Sequence, residues 1–191
     1  GLGPAGLFAA LLLARSGFRP LVLERGPELD ERVKAVEHFE KTGELNLNAN
    51  IQFGEGGAGT FSDGKLTTRV GDPLCAFVTD AFLQHGAPAD IAWRQKPHVG
   101  TDLLRGIIRS IRQEIIALGG EVRFNTALTG LKIENGALAG VETTAGDFAC
   151  EQLILAVGHS ARDTFAMLHG SGLPLECKPF SVGFRAEHLQ T

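Results

Sequence analysis

The sequence predicts an α/β fold, a mostly parallel sheet covered by helices, and three observations carry that expectation. The first is the opening stretch Gly1–Glu24, in which G-x-G-x-x-G (Gly1, Gly3, Gly6) runs into an apolar helix and then a short β-rich segment closed by an acid. The second is a helical pattern over 102–118 leading into Glu121-Val122-Arg123-Phe124, again helix then strand, the order that winds a parallel sheet. The third is Gln152–Gly158, an unbroken apolar run ending in glycine, which reads as a strand buried on both faces.

The opening stretch has the parts of a phosphate-binding turn. Gly1 permits the tight turn, Gly3 lets a pyrophosphate approach the backbone, and Gly6 lets the helix pack close to the sheet. Pro4 suits the first helical turn, where its missing N–H has no intrahelical partner to lose. The helix from Ala5 to Arg15 points its first amides and positive dipole end at the phosphates, and Gly17 stops it. Pro20-Leu21-Val22-Leu23-Glu24 follows as a strand, with Glu24 at its carboxyl end, where a carboxylate can accept from both ribose hydroxyls. A glycine-rich turn alone can merely turn a corner, but here motif, helix, strand and acid agree in order and spacing. The acid would repel a 2′-phosphate, which favours FAD or NAD over NADP, and Arg25 beside it softens that exclusion. Such a turn follows a buried strand, yet the sequence opens on Gly1, so the expectation is a cut N-terminus and a missing first, central strand.

Composition excludes several classes. At 191 residues the chain has room for one or two domains and a real core. A net charge of −4 with scattered Lys and Arg speaks against nucleic acid as a partner. Cys75, Cys150 and Cys177 lie far apart with no CxxC, as reduced cytosolic thiols do, and that spacing leaves no dithiol centre. His38, His85 and His98 have no metal-like spacing to one another or to the cysteines, so no metal is assigned. No signal peptide is visible, and Leu11-Leu12-Leu13 is too short to cross a bilayer and reads as a helix beneath the sheet. The expected setting is cytoplasmic, without a membrane partner.

Along the rest of the chain, Gly26-Pro27 turns and Leu29–Thr42 has helical periodicity, with Val33, Val36 and Phe39 or Glu40 on one face and Gly43 as a stop. Asn46, Asn48 and Asn50 alternate with apolar residues in an irregular crossing. Four glycines within six residues (Gly54, Gly56, Gly57, Gly59) then rule out helix or ordinary strand, and the flanking Phe53, Phe61 and Leu66 argue for an ordered loop rather than a flexible linker. Asp72–His85 reads as a helix capped by Asp72 with Pro73 first; Ile91–Lys96 as a strand; Thr101 as the cap of the helix over 102–118, whose Leu104, Ile107, Ile108, Ile111, Ile115 and Leu118 share a face. Leu128–Glu134, Ala137–Thr143 and Asp147–Cys150 are short strands joined at Asn135-Gly136, a strong hairpin signal, and at Ala145-Gly146. Arg162–Leu168 is helical, and Lys178–Glu187 opens a new strand.

These pieces form a recognisable pattern. GxGPAG at Gly1–Gly6, the acid closing the second strand, the meander and the LILAVGHSA segment together resemble the FAD-binding domain of the glutathione-reductase-like flavoproteins. The block GEGGAGTFSDGKLTTR at Gly54–Arg69, with KPFSVGFRAEH at Lys178–His188, is similar more narrowly to a group of bacterial FAD-dependent dehydrogenases of unsettled substrate. The resemblance implies a Rossmann-like, three-layer FAD-binding domain in two parts (1–70 and 101–170, the meander at 127–150), a helical or irregular insertion (71–100), and the start of a truncated substrate domain (171–191). It implies Gly1, Gly3 and Gly6 at the pyrophosphate, Glu24 at the adenosine ribose and the backbone of Val122 at the adenine, with Pro4, Ala5 and Arg25 also among the cofactor-binding residues. Gly56, Gly57, Ala58, Gly59 and Thr60 would lie along the ribityl chain or flavin, and Ala156, Val157 and Gly158 near the phosphates. The absence of cysteine from the loop means that no dithiol relay is implied, and the family's last flavin contact, a Gly-Asp segment near the C-terminus, is not present.

If FAD is bound, the flavin carries the redox step and the protein supplies position and electrostatics. Lys65 or Arg69 can place positive charge near the phosphates or reduced flavin, or be solvent-exposed strand residues; Asp63-Gly64 reads as a turn before a proton donor. His159 and Ser160 can meet flavin or substrate, or cap the next helix. The favoured function is an FAD-dependent oxidoreductase acting on a small molecule, with NADH a possible donor. The alternatives are a non-catalytic nucleotide-binding or sensing module, or the NAD half of a two-nucleotide enzyme, against which the Gly54–Arg69 block argues.

Overall fold

The computed structural model describes every residue except Ser62, Asp63, Thr67, Arg69, Gln95, Lys96, Arg185, Gln190 and Thr191. The expectations at Asp63, Arg69 and the end of the Ile91–Lys96 segment lie outside the described residues.

Helix α1 (Pro4–Arg15) opens the fold with Pro4 in its first turn. Strand β1 (Leu21–Leu23) pairs in parallel with β2 (Glu121–Arg123), Val22 opposite Val122. Between them in sequence come α2 (Leu29–Thr42), α3 (Cys75–Gln84) and α4 (Thr101–Ala117). After β2 the chain makes an antiparallel meander, β3 (Leu128–Glu134), β4 (Ala137–Thr143) and β5 (Gly146–Ala149), and then α5 (Arg162–Gly170). Asn135 and Gly136 join β3 to β4 with positive φ at both positions, the hairpin geometry their sequence announces.

One core unites α1, α3, α4 and the parallel pair. Leu7, Leu11 and Ala14 of α1 meet Ile107, Ile108, Ile111 and Ile115 of α4, and Ala81 and Phe82 of α3 close it with Val22. Each isoleucine buried there contributes about 1.5–3 kcal/mol relative to exposure. Phe8 makes edge-on contacts with Phe77 and Phe82, at 6.2 and 5.5 Å between ring centres.

Several expectations are corrected. The α/β class, α1, α2, α4 and the meander agree with the sequence reading, but Gln152–Gly158 forms no ladder: no described strand pairs with it, and Ile154 is 60% exposed. An apolar run states what should be covered and supplies no partner. Lys178–Glu187 likewise shows no strand among its described residues, and Phe180 and Phe184 are exposed. Ala89–Ala92 is a 3₁₀ turn, so a strand does not begin at Ile91. The carboxylate of Asp72 does accept the Leu74 N–H at 2.8 Å, but it caps a tight turn and α3 begins only at Cys75. Gly100, not Thr101, is the N-cap of α4. The buried face of α2 is Leu29, Arg32 and Val36, so a charged residue takes the place the periodicity gave to Val33 and Phe39.

Candidate functional site

The site starts from the Gly1–Gly6 turn. A Cβ on Gly6 would run into the carbonyl oxygen of Gly1, so the turn closes only with glycine there. Gly3 is the N-cap of α1; no side chain caps the helix and its first turn holds no acid. The first intrahelical bond runs from the Leu7 N–H to the Gly3 carbonyl at 2.9 Å, which leaves the amides before it for a ligand. Pro4 and Ala5 are exposed at this end. Ala156 comes alongside, its carbonyl 2.6 Å from where a Cβ on Gly1 would sit; Val157 is half-buried and Gly158 exposed.

Glu24 sits just past β1, its N–H on the Arg123 carbonyl at 2.8 Å, and only 4% of it is exposed. Its carboxylate accepts the Leu2 N–H at 2.6 Å and the Gly26 N–H at 2.9 Å. The acid therefore ties the glycine turn to the end of β1, and each oxygen keeps lone-pair capacity for a further donor. The exit of β2 is pinned to the same place, with Asn125 N–H on the Gly26 carbonyl at 2.9 Å and Thr126 N–H on the Glu24 carbonyl at 2.8 Å. Arg25 pairs with Asp163 of α5 at 2.6 Å. A cavity of about 350 Å³ opens there between Arg25, Asn46, Asn48, Asn125, Ala127 and Thr144. Val122 is not brought to this mouth. Glu121 and Arg123 turn their backbone groups toward β1, so those of Val122 face the other way, along an edge with no partner strand among the described residues.

The second glycine cluster closes the site. Gly54–Gly57 are buried, and the Gly56 N–H donates to the Leu2 carbonyl at 2.8 Å. Gly57 has φ +67°, and a Cβ there would lie 2.6 Å from Pro4 Cδ. Thr60 is fully buried, its hydroxyl on the Glu55 carbonyl at 3.3 Å, whereas Ala58 is exposed and Gly59 has open space where a Cβ would go. The loop thus has a buried base and an open lip beside the N-terminus of α1. Lys65 forms a bridge with His98. His159 is exposed, and the N-cap of α5 is Ala161, with no side-chain cap from His159 or Ser160.

Sequence reasoning missed the charged support behind this loop. Glu55, fully buried, accepts the Leu29 N–H at 2.9 Å and pairs with Arg112 at 2.7 Å. Burial pushes its carboxyl up, against the pull of Arg112. Arg32, also fully buried, donates to three backbone carbonyls, and Arg32 and Arg105 lie against the Phe61 ring, 4.8 and 5.1 Å from its centre. Burial pushes the Arg32 guanidinium down to about 10, so it is charged at neutral pH. The available signal was a charge on the apolar stripe of α2, at helical spacing from Leu29 and Val36. Among the described residues no cluster of His, Cys, Asp or Glu can hold a metal ion, the cysteines are free, and no helix is long and apolar enough to cross a membrane.

Fold and site together define a class: this is an FAD-binding α/β fold, in which a glycine turn, a strand-end acid and a second glycine loop converge. Residues 105–191 match the family model described as DAO, FAD dependent oxidoreductase, so FAD, the cofactor expected from the motifs, is the one that description names. Along its whole length the chain is 52% identical to a Clostridium beijerinckii protein described as uncharacterized, and it spans 36% of that relative's length. Among solved structures it is similar to Thermovibrio ammonificans THI4, with TM-score 0.56 and 15% identity over 91% of this chain and 61% of that one. It is also similar to glycine oxidase from Bacillus cereus, with TM-score 0.51 and 14% identity over 88% and 58%. At such identities the shared property is the fold.

Proposed function

We propose that this chain forms the FAD-binding part of an FAD-dependent oxidoreductase, a dehydrogenase that passes a hydride or electron pair between flavin and a small molecule. The observation that carries the reading is a meeting at the open N-terminus of α1. The Gly1–Gly6 turn, the Glu24 carboxylate and the Gly56–Thr60 loop, far apart in sequence, touch there. In this reading the pyrophosphate lies on the first amides of α1, with Ala156–Gly158 beside it, and the ribose uses the remaining lone pairs of Glu24. The adenine enters the cavity beside Arg25 and Asn125, one strand-end from Val122, and the flavin runs along the lip at Ala58 and Gly59, over the buried Gly57 and Thr60. The cofactor supplies the redox chemistry when bound; these residues hold and orient it. NADH as donor belongs to the same reading, as does a cytoplasmic setting, with which the three free cysteines agree.

The test is a visible spectrum of the full-length protein, expected to show oxidised flavin that bleaches on adding NADH. Protein that takes up no FAD would end the reading, and a flavin that no reductant bleaches would leave a nucleotide-binding module without turnover. Glu24→Ala should weaken FAD binding by about 1–3 kcal/mol, because it strands two amides as well as the ribose. Titration of apo-protein with FAD measures this, and an unchanged affinity would sink the assignment.

A further inference from the structure

Arg32 is the least expected residue of the chain, a guanidinium with no exposure in the first turn of an amphipathic helix. Burying a charge is costly unless it is well hydrogen-bonded, and each of the three guanidinium nitrogens finds a carbonyl. Here Nε donates to the Asn50 carbonyl at 3.0 Å, Nη1 to the Glu55 carbonyl at 2.6 Å and Nη2 to the Ile51 carbonyl at 3.0 Å. Only a planar fork of donors can serve three carbonyls that converge in this way. The side chain also fills the space beside Gly54, where a Cβ would lie 2.6 Å from Arg32 Cδ.

The consequence runs through the peptide between Glu55 and Gly56. With its carbonyl turned inward to Arg32, a trans peptide must turn the Gly56 N–H the opposite way, and there it meets the Leu2 carbonyl at 2.8 Å. The Leu2 N–H in turn reaches Glu24 at 2.6 Å, and Glu24 reaches the Gly26 N–H at 2.9 Å. One hydrogen-bonded line therefore joins α2, the glycine loop, the phosphate-binding turn and the end of β1. Among the described residues the charge at its head has no direct ion pair, and the Glu24 and Glu55 carboxylates favour it only from beyond that range. Glu24 is taken by two amides and Glu55 by Arg112 and the Leu29 amide.

We propose that Arg32 is a positioning residue for FAD: from behind the glycine loop it registers that loop on the phosphate-binding turn and keeps a positive charge beneath it. The inference rests on the FAD-binding reading above. Charge beneath the loop favours the anionic pyrophosphate and the anionic reduced flavin, so affinity and reduction potential both depend on it.

The experiment compares Arg32→Lys, which keeps the charge but cannot serve three carbonyls, with Arg32→Met, which keeps neither, in the full-length protein. Both should raise the Kd for FAD about tenfold or more. The flavin midpoint potential should fall in Arg32→Met and stay near wild type in Arg32→Lys, a split that a purely structural arginine would not produce. Wild-type Kd and potential in Arg32→Met would overturn the proposal. Should that variant fail to fold, amide exchange in wild-type apo-protein decides: Leu2 and Gly56 should exchange slowly before FAD is added, and faster in Arg32→Lys. Rapid exchange in the wild-type apo-protein overturns the proposal. Failure of the FAD-binding reading shows separately, as wild-type protein that takes up no flavin.

Discussion

The two glycine clusters of this chain do similar work by opposite means. The turn at Gly1–Gly6 closes on itself, since the crowding that demands glycine at position 6 comes from Gly1, five residues away. The loop at Gly54–Gly59 has a local bond from the Gly57 N–H to the Gly54 carbonyl and runs into a 3₁₀ turn at Ala58–Phe61, a helical turn that its glycines were expected to exclude, yet it also leans on distant groups. Its base is held by Arg32 from α2, by the Leu2 carbonyl, and by Glu55 reaching the Leu29 amide and Arg112 of α4. A short motif can specify a compact turn, whereas the irregular base of a longer loop needs distant side chains to satisfy its buried backbone groups. The first cluster should therefore break most sharply at its own Gly6, and the second also through residues remote from any ligand.

The largest effect is expected at Gly6. Gly6→Val drives side-chain atoms into the Gly1 backbone, and flavin should be lost entirely from the purified full-length protein; retained stoichiometric flavin would refute the self-closing turn. Next come the two faces of the loop. Gly57→Val adds a β-branched residue at φ +67° against Pro4 and should cost on the order of 3 kcal/mol in FAD affinity. Gly59→Val, on the open lip, should leave the melting temperature of the apo-protein unchanged while displacing flavin and altering its visible spectrum. Equal melting losses in the two variants would show that the lip is packed after all.

The smallest effect sharpens the contrast from the far end of α1. There Arg15 grips Glu114 of α4 through two hydrogen bonds, at 2.7 and 2.8 Å, and Glu114 also meets His85 at 2.7 Å. The bond from Arg15 holds the Glu114 carboxyl below its ordinary value of 4.5. A depressed acid stabilises the fold above its unfolded-state value and loses that contribution as pH falls through the folded one. Stability should accordingly fall as the medium is acidified below pH 4.5, by under about 1 kcal/mol for so exposed a pair. Arg15→Met should flatten that part of the profile in urea unfolding at a series of pH values. An identical profile in the variant would detach the pH dependence from this clamp.

Local pattern by itself determined α1, α2, α4, the Asn135-Gly136 hairpin and the identity of both glycine clusters. Helical period, glycine stops and turn dipeptides act within a few residues and need no distant partner. The nucleotide-binding character was legible for the same reason, since turn, helix, strand and acid follow one another along the chain. Tertiary structure decided the rest. Gln152–Gly158 has the composition of a core strand yet no ladder among the described residues, because a ladder is a property of two segments. Arg32 became the buried support of the loop, since only folding brings the carbonyls of Asn50, Ile51 and Glu55 onto its donors. Glu24 was legible as an acid at a strand end, but its hold on Leu2 and Gly26 required the turn, folded back onto that strand, to place both amides within reach of one carboxylate.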